Sequence, residues 1–187
     1  MGLCGQFNER IVDYALDLAR REAKAARAAF PRGEADGAGS FRWLVVGMRG
    51  WERLRDTDAE LIGLLDAPSS VEAVGAAVEE AFVALSGHLA DGDGPQRDGH
   101  RLLIVHNVPD NGSIFAPRHL QLLPFQPNRW LAWPGDEPTW KTPPLTALAP
   151  EDILPHLVRE QVYIDLFEAF ILSFAAENAA RLSSMRN

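Results

Sequence analysis

The stretch PHLVREQVYIDLFEAFILSFAAENAARLSSMRN, residues 155–187, contains neither proline nor glycine after its first residue. An unbroken run of that length with apolar residues at spacings of three and four reads as one helix. At 1.5 Å per residue it extends roughly 50 Å, whereas a small domain measures about 30 Å across. The helix is therefore expected to project. Leu157, Gln161, Ile164, Phe167 or Glu168, Ile171, Phe174 and Asn178 track one side, and Tyr163, Leu166, Phe170 and Phe174 track its neighbour. The apolar seam thins into Ala176, Ala179, Ala180, Leu182 and Met185. A projecting helix with a narrowing seam needs another helix to cover it.

Upstream, helix and strand signals alternate. Residues 7–30 carry Phe7, Ile11, Tyr14, Ala15 and Leu18 on one helical face and end at Pro31, before a turn-rich connector. FRWLVVGM and RLLIVHN read as strands buried on both faces. Between them, a stretch centred on Leu61 and Ile62 is open between helix and strand. Ser69 or Ser70 then caps a helix with Val71, Val74, Val78, Phe82 and Leu85 in register. A shorter apolar piece follows at Leu120–Phe125. Residues 126–150 are rich in proline around Trp130, Trp133 and Trp140 and read as an extended wrapping segment. The pattern predicts an α/β fold with a mainly parallel sheet flanked by helices. The expected division is an α/β globular domain over 1–150 and a long coiled-coil helix over 151–187.

Composition narrows the function. A chain of 187 residues suits one ordinary domain with an appended element. Net charge is −8, with two lysines and sixteen scattered arginines, which argues against a nucleic-acid surface. No apolar run approaches the length of a membrane span, so membrane association is expected only through partners. Cys4 is the single cysteine, so an internal disulfide and a thiolate zinc cluster are excluded, and a reducing compartment is the natural setting.

The chemical candidates are sparse. Gly2–Cys4–Gly5 lacks both the three-glycine dinucleotide spacing and the Gly-Lys-Ser/Thr phosphate loop. A Cys4–His106 nucleophile and base is conceivable at a sheet edge. The plainer reading is a tight turn that glycine permits, with Cys4 packing as a small hydrophobe. Glu79–Glu80 fits a solvated helix face, and Glu151–Asp152 fits a first helical turn. HNVPDNG has the composition of a turn. No residue set calls for a metal or cofactor. Glu177 and Arg181 stand four apart in the favourable order for a helical ion pair, worth about 0.3–0.5 kcal/mol in isolation.

Four motifs in order resemble the gamma subunit of rotary ATP synthases. GLCGQFN is similar to that family's GLCG-x-x-N turn. RLLIVHN and QLLPF resemble a strand and the leucine-leucine-proline element after it. EQVYIDLFEAFILSFAAENAARLSSMRN resembles its Q-V-Y … S-E-x-x-A-R-M-x-A-M helix. The resemblance spans essentially the whole chain. It implies a non-catalytic rotor shaft that couples proton or sodium flow through a membrane ring to nucleotide chemistry on other subunits. Its partners would be the alpha/beta hexamer, the epsilon subunit and the c-ring, with the chain peripheral on the cytoplasmic membrane face. By motif, Gln161, Val162 and Tyr163 would lie at the foot near the ring. Glu177 and Arg181 would match a coupling pair, and Met185 the motif's last methionine. Gly2, Cys4 and Gly5 would shape a turn after a sheet strand.

The family has a strand and a long helix before its GLCG turn, and its terminal helix runs further than Asn187. The expectation is a foot domain with a helix stump, short of one inner strand, whose uncovered seam at 163–185 leads to self-association. The rival readings are a small α/β enzyme using Cys4 with a histidine, and a helical adaptor protein.

Overall fold

A computed structural model describes residues 6–29, 41–90, 101–126, 145 and 147–186. The turn at Gly2, Cys4 and Gly5 and the tryptophan-proline segment with Trp130, Trp133 and Trp140 lie outside these residues.

The first helix, α1 (Phe7–Ala29), forms where its periodicity predicts. Phe7, Val12, Ala15 and Leu18 are its buried positions. Strand β1 (Arg42–Val46) then leads through Gly47 into a short helix, α2 (Met48–Arg55), and back into β2 (Glu60–Leu65). The two strands pair parallel, with Val45 opposite Leu64. Gly47 makes the turn with φ of 93°, and its N–H donates to the Leu65 carbonyl at 2.8 Å. The residues around Leu61 and Ile62 are thus strand. Helix α2 has no counterpart in the sequence reading, because Gly47 and Gly50 mark its first turns as a loop and only Leu54 is buried.

Helix α3 (Val74–Ala90) starts later than its serines suggest. The Ala73 N–H bonds to the Ser70 carbonyl at 3.2 Å and the Val74 N–H to that of Val71 at 3.2 Å, a turn that leaves Val71 60% exposed. Val74 and Val78 are wholly enclosed.

Strands β3 (Leu102–Asp110) and β4 (Ile114–Leu123) pair antiparallel, from Leu102 opposite Leu123 to Asp110 opposite Ile114. Three residues separate them, too few for the crossover a parallel pair needs. Among the described residues the α/β architecture therefore holds two two-stranded sheets, one parallel and one antiparallel. The Asp110 carboxylate accepts from the Ser113 N–H at 3.0 Å and from its hydroxyl at 2.9 Å, which closes the hairpin.

The last helix, α4 (Pro150–Arg186), is 37 residues long, about 55 Å at helical rise. Pro155 is the sixth residue of α4, just past the four N–H groups that lack intrahelical acceptors, so it forgoes one bond to the Glu151 carbonyl near the helix start. Its buried side is Val162, Asp165, Leu166, Ala169, Phe170, Ala176 and Ala180. This differs from the first seam read from sequence, since Leu157, Ile164 and Phe167 of that seam are exposed. Small residues decide the difference. Ala169, Ala176 and Ala180 let the backbone lie close on β3 and β4, where the larger side chains of the neighbouring face do not fit.

Val162, Leu166 and Phe170 join Leu65, Val74, Val78, Ala81 and Leu122 in the main core. A second cluster holds Phe7, Phe115, Ala176 and Ala180, and a third holds Val12, Val45 and Leu54. Helix α4 is thus keyed into the body over most of its length.

Candidate functional site

The residues singled out on α4 divide into an enclosed group and an exposed one. Gln161 turns inward, its Nε2 donating to Asp165 Oδ1 at 3.1 Å, and Asp165 is 3% exposed. Val162 belongs to the main core. Tyr163 is half-buried, its ring edge-on to Phe82 of α3 at 5.8 Å and 75°. The Arg159 guanidinium sits 5.2 Å from the centre of the same Phe82 ring. An aromatic ring's negative face attracts the cation and its positive edge suits the neighbouring ring. Arg159, Phe82 and Tyr163 therefore clamp α3 to α4. Val162 and Tyr163 of the Q-V-Y motif thus anchor the helix to the body, while Gln161 bonds within α4 itself.

Near the other end, Arg181 donates to the Glu177 carboxylate across one helical turn, both side chains partly solvated. Met185 is 64% exposed. Ile114 at the hairpin tip, with φ of 68°, and Ala179, Leu182, Ser183 and Arg186 line a groove beside them. A β-branched residue in the left-handed region is strained, which the hairpin closure enforces.

Histidine chemistry is no better provisioned than the sequence suggests. The His106 Nδ1 atom is enclosed and has no partner among the described residues, and burial lowers the pKa of the ring. Burial thus favours the neutral imidazole. His119 is engaged by the Tyr14 hydroxyl at 2.6 Å. His156 is exposed on α4, as are Glu151 and Asp152 in its first turn. Glu79 and Glu80 are exposed on α3. Among the described residues, no group of three or more histidine, cysteine, aspartate or glutamate side chains is placed to hold a metal ion.

Several contacts have no counterpart in the sequence reading. Arg53 of α2 pairs with Glu9 of α1 at 2.9 Å, and Arg101 pairs with Glu22. Arg10 lies 4.8 Å from the centre of the Phe115 ring, which packs tilted at 58° against Phe7 with ring centres 5.0 Å apart. Asn107 is wholly enclosed. These contacts link residues 44 to 108 apart in the chain, so local spacing carries no sign of them. The one legible hint was the polar HNVPDNG run within an apolar strand pattern.

Comparisons with known proteins agree with one another. A family model described as ATP synthase matches residues 1–187. The chain is 27% identical over 191 residues to the ATP synthase gamma chain of Herpetosiphon aurantiacus, covering 100% of this chain and 57% of that one. It is 24% identical over 192 residues to the ATP synthase gamma chain of Nitratidesulfovibrio vulgaris, again 100% and 57%. The chain thus spans 57% of the length of these relatives. Among solved structures, it resembles a chain in the Tetrahymena thermophila mitochondrial ATP synthase central stalk and c-ring. There the TM-score is 0.54 at 21% identity, covering 100% of this chain and 71% of the other. That likeness is one of fold.

Proposed function

The chain belongs to the ATP synthase family, and we propose that it serves there as the foot and lower shaft of the central stalk. In this reading it is a non-catalytic rotor element. It takes torque from an ion-driven c-ring and passes it to an alpha/beta hexamer that makes or hydrolyses ATP, with the epsilon subunit docked on the foot. It sits at the cytoplasmic membrane face through the complex. No described helix is long and apolar enough to cross a membrane.

The observation that carries the reading is the seating of α4. A shaft that transmits torque must resist rotation about its own axis relative to the body that drives it. Val162, Leu166 and Phe170 lie in the same core cluster as residues from β2, α3 and β4. Turning α4 in place would expose that face and expel the Arg159–Phe82–Tyr163 clamp. The cost of such a turn, a few buried aliphatic and aromatic side chains at about 1.5–3 kcal/mol each, makes body and helix one rigid unit.

The test is co-purification from the native organism using a tagged chain. Recovery of epsilon and c subunits together with alpha and beta supports the stalk assignment. Recovery of the chain without any of them, from membranes that hold an intact ATP synthase, removes it.

A further inference from the structure

The hairpin tip between β3 and β4 reads Asp110-Asn111-Gly112-Ser113, and Asn111 is the one asparagine in the sequence that glycine follows. Asn-Gly is favoured at hairpin turns because both residues tolerate a positive φ. That ground is missing here. Neither Asn111 nor Gly112 has a positive φ, and the left-handed position falls instead on Ile114. Ser113 supplies the closure, through its N–H and hydroxyl to the Asp110 carboxylate. Asn111 and Gly112 are both exposed. Among the described residues no hydrogen bond restrains the Asn111 side chain. A Cβ placed on Gly112 would meet nothing nearer than Asp110 Oδ2 at 3.5 Å.

The amide carbon of an asparagine side chain and the next main-chain nitrogen can close a five-membered ring. Two things ordinarily prevent it, a side chain on the following residue that crowds the approach and an asparagine side chain held by hydrogen bonds. Both restraints are absent at the tip.

We propose that Asn111–Gly112 is a self-modification site, at which the folded chain converts this asparagine into aspartate and isoaspartate. Loss of the Gly112 amide proton to solvent base gives the nucleophile. Its nitrogen attacks Asn111 Cγ, the N–Cγ bond forms, the Cγ–Nδ2 bond breaks, and ammonia leaves with a proton from water. Water then opens the cyclic imide. Addition at Cγ restores the main chain and leaves aspartate. Addition at the main-chain carbonyl leaves isoaspartate, whose backbone runs through Cβ and Cγ. In sum, one water is consumed and one ammonia is released. Either product adds a carboxylate next to Asp110. Isoaspartate also adds one backbone carbon between Asp110 and Ser113, the span that their bonds close. Ile114, next after that closure, lines the groove with Ala179, Leu182 and Arg186 of α4. The change is therefore made where the hairpin meets the end of the last helix, and it does not depend on the rotor reading.

Incubation of the folded chain at 37 °C and pH 7.5, followed by tryptic peptide mapping against a zero-time digest, tests it. The peptide from Leu102 to Arg118 should gain the mass difference between a hydroxyl and an amino group, localised by fragmentation to Asn111. It should also separate into two products of equal mass, aspartate and isoaspartate. Asn107, enclosed on the same peptide and followed by Val108, should stay an amide. Gly112→Ala should slow the reaction by roughly an order of magnitude, because its Cβ narrows the backbone angles open to the attacking nitrogen. With no positive φ at 112 that variant keeps the fold, which an unchanged circular dichroism spectrum checks. Asn111 retained as the amide over several weeks, conversion of Asn107 at the same rate, or conversion in Gly112→Ala as fast as in the parent chain would each overturn the proposal.

Discussion

The side-chain amide of Asn107 donates to the main-chain carbonyl of Phe7 at 3.4 Å, joining residues 100 apart. Asn107 is wholly enclosed, and its Oδ1 atom has no partner among the described residues. Phe7 in turn packs with Phe115, Ala176 and Ala180. One polar side chain on β3 thereby fixes the start of α1 at the place where α4 crosses the hairpin.

Replacing Asn107 with alanine leaves the Phe7 carbonyl without this donor and opens space in a packed region. A destabilisation of about 1–3 kcal/mol is expected. Urea unfolding followed by circular dichroism measures it, and a change below the error of the midpoint would mean the bond contributes nothing.

His106, next along β3, makes stability depend on pH. Burial lowers its folded-state pKa below the ordinary histidine value of about 6.5. The unfolded chain therefore binds the proton more readily than the folded one. Stability rises with pH in the interval between the two values. As pH falls through 6.5 toward the lower folded value it is progressively lost, and below both the loss is complete. Thermal unfolding at pH 7.5 and pH 5 should show a drop in midpoint that His106→Gln reduces. An identical drop in both proteins would assign it to other groups.

Two glycines near the parallel strands separate strain from crowding. Gly47 has φ of 93°, and a Cβ there meets only ordinary contact, with Ala67 at 3.5 Å. Gly63 has no such φ, but its added Cβ would come within 2.8 Å of Leu44 Cδ1. The end of a leucine side chain can rotate away, whereas a backbone in a glycine-only region has no such escape. Gly47→Ala should therefore cost about 1–3 kcal/mol, and Gly63→Ala less. A larger loss at Gly63 would show that Leu44 is locked by the core around it.

Much of this architecture was legible because it is local. The helix at residues 7–29, the strands beginning at Arg42 and Leu102, and the long terminal helix all follow from spacing of apolar residues along the chain. Helix α2 was hidden because its glycines speak for a turn while its stability comes from Leu54 packed against Val12 and Val45. The hairpin was hidden because Pro109 and Pro117 interrupt its strands, although Asp110-Asn111-Gly112 carries a turn signal. The orientation of α4 was least accessible. Two apolar faces compete there, and alanines, weak in any hydrophobic pattern, select the inner one through close approach. For the same reason the packing of Val162 in the main core and of Tyr163 on Phe82 could not be read from spacing.

Glu177 and Arg181 offer the sharpest separation between a structural and a functional role. They pair across one turn of α4, partly solvated, with Glu177 N-terminal to Arg181. In the free chain such a pair contributes only about 0.3–0.5 kcal/mol, so Glu177→Gln and Arg181→Ala should each leave the unfolding midpoint nearly unchanged. Under the rotor reading proposed above, with the pair facing the catalytic subunits, the same substitutions in the assembled enzyme should lower ATP-driven ion pumping more than ATP hydrolysis, because that reading puts torque transfer and bond chemistry on different subunits. The ratio of the two rates, measured on the same membranes, carries the result. Equal losses of pumping and hydrolysis would place the defect in assembly, and no loss of either would return the pair to the modest helical role its geometry alone requires.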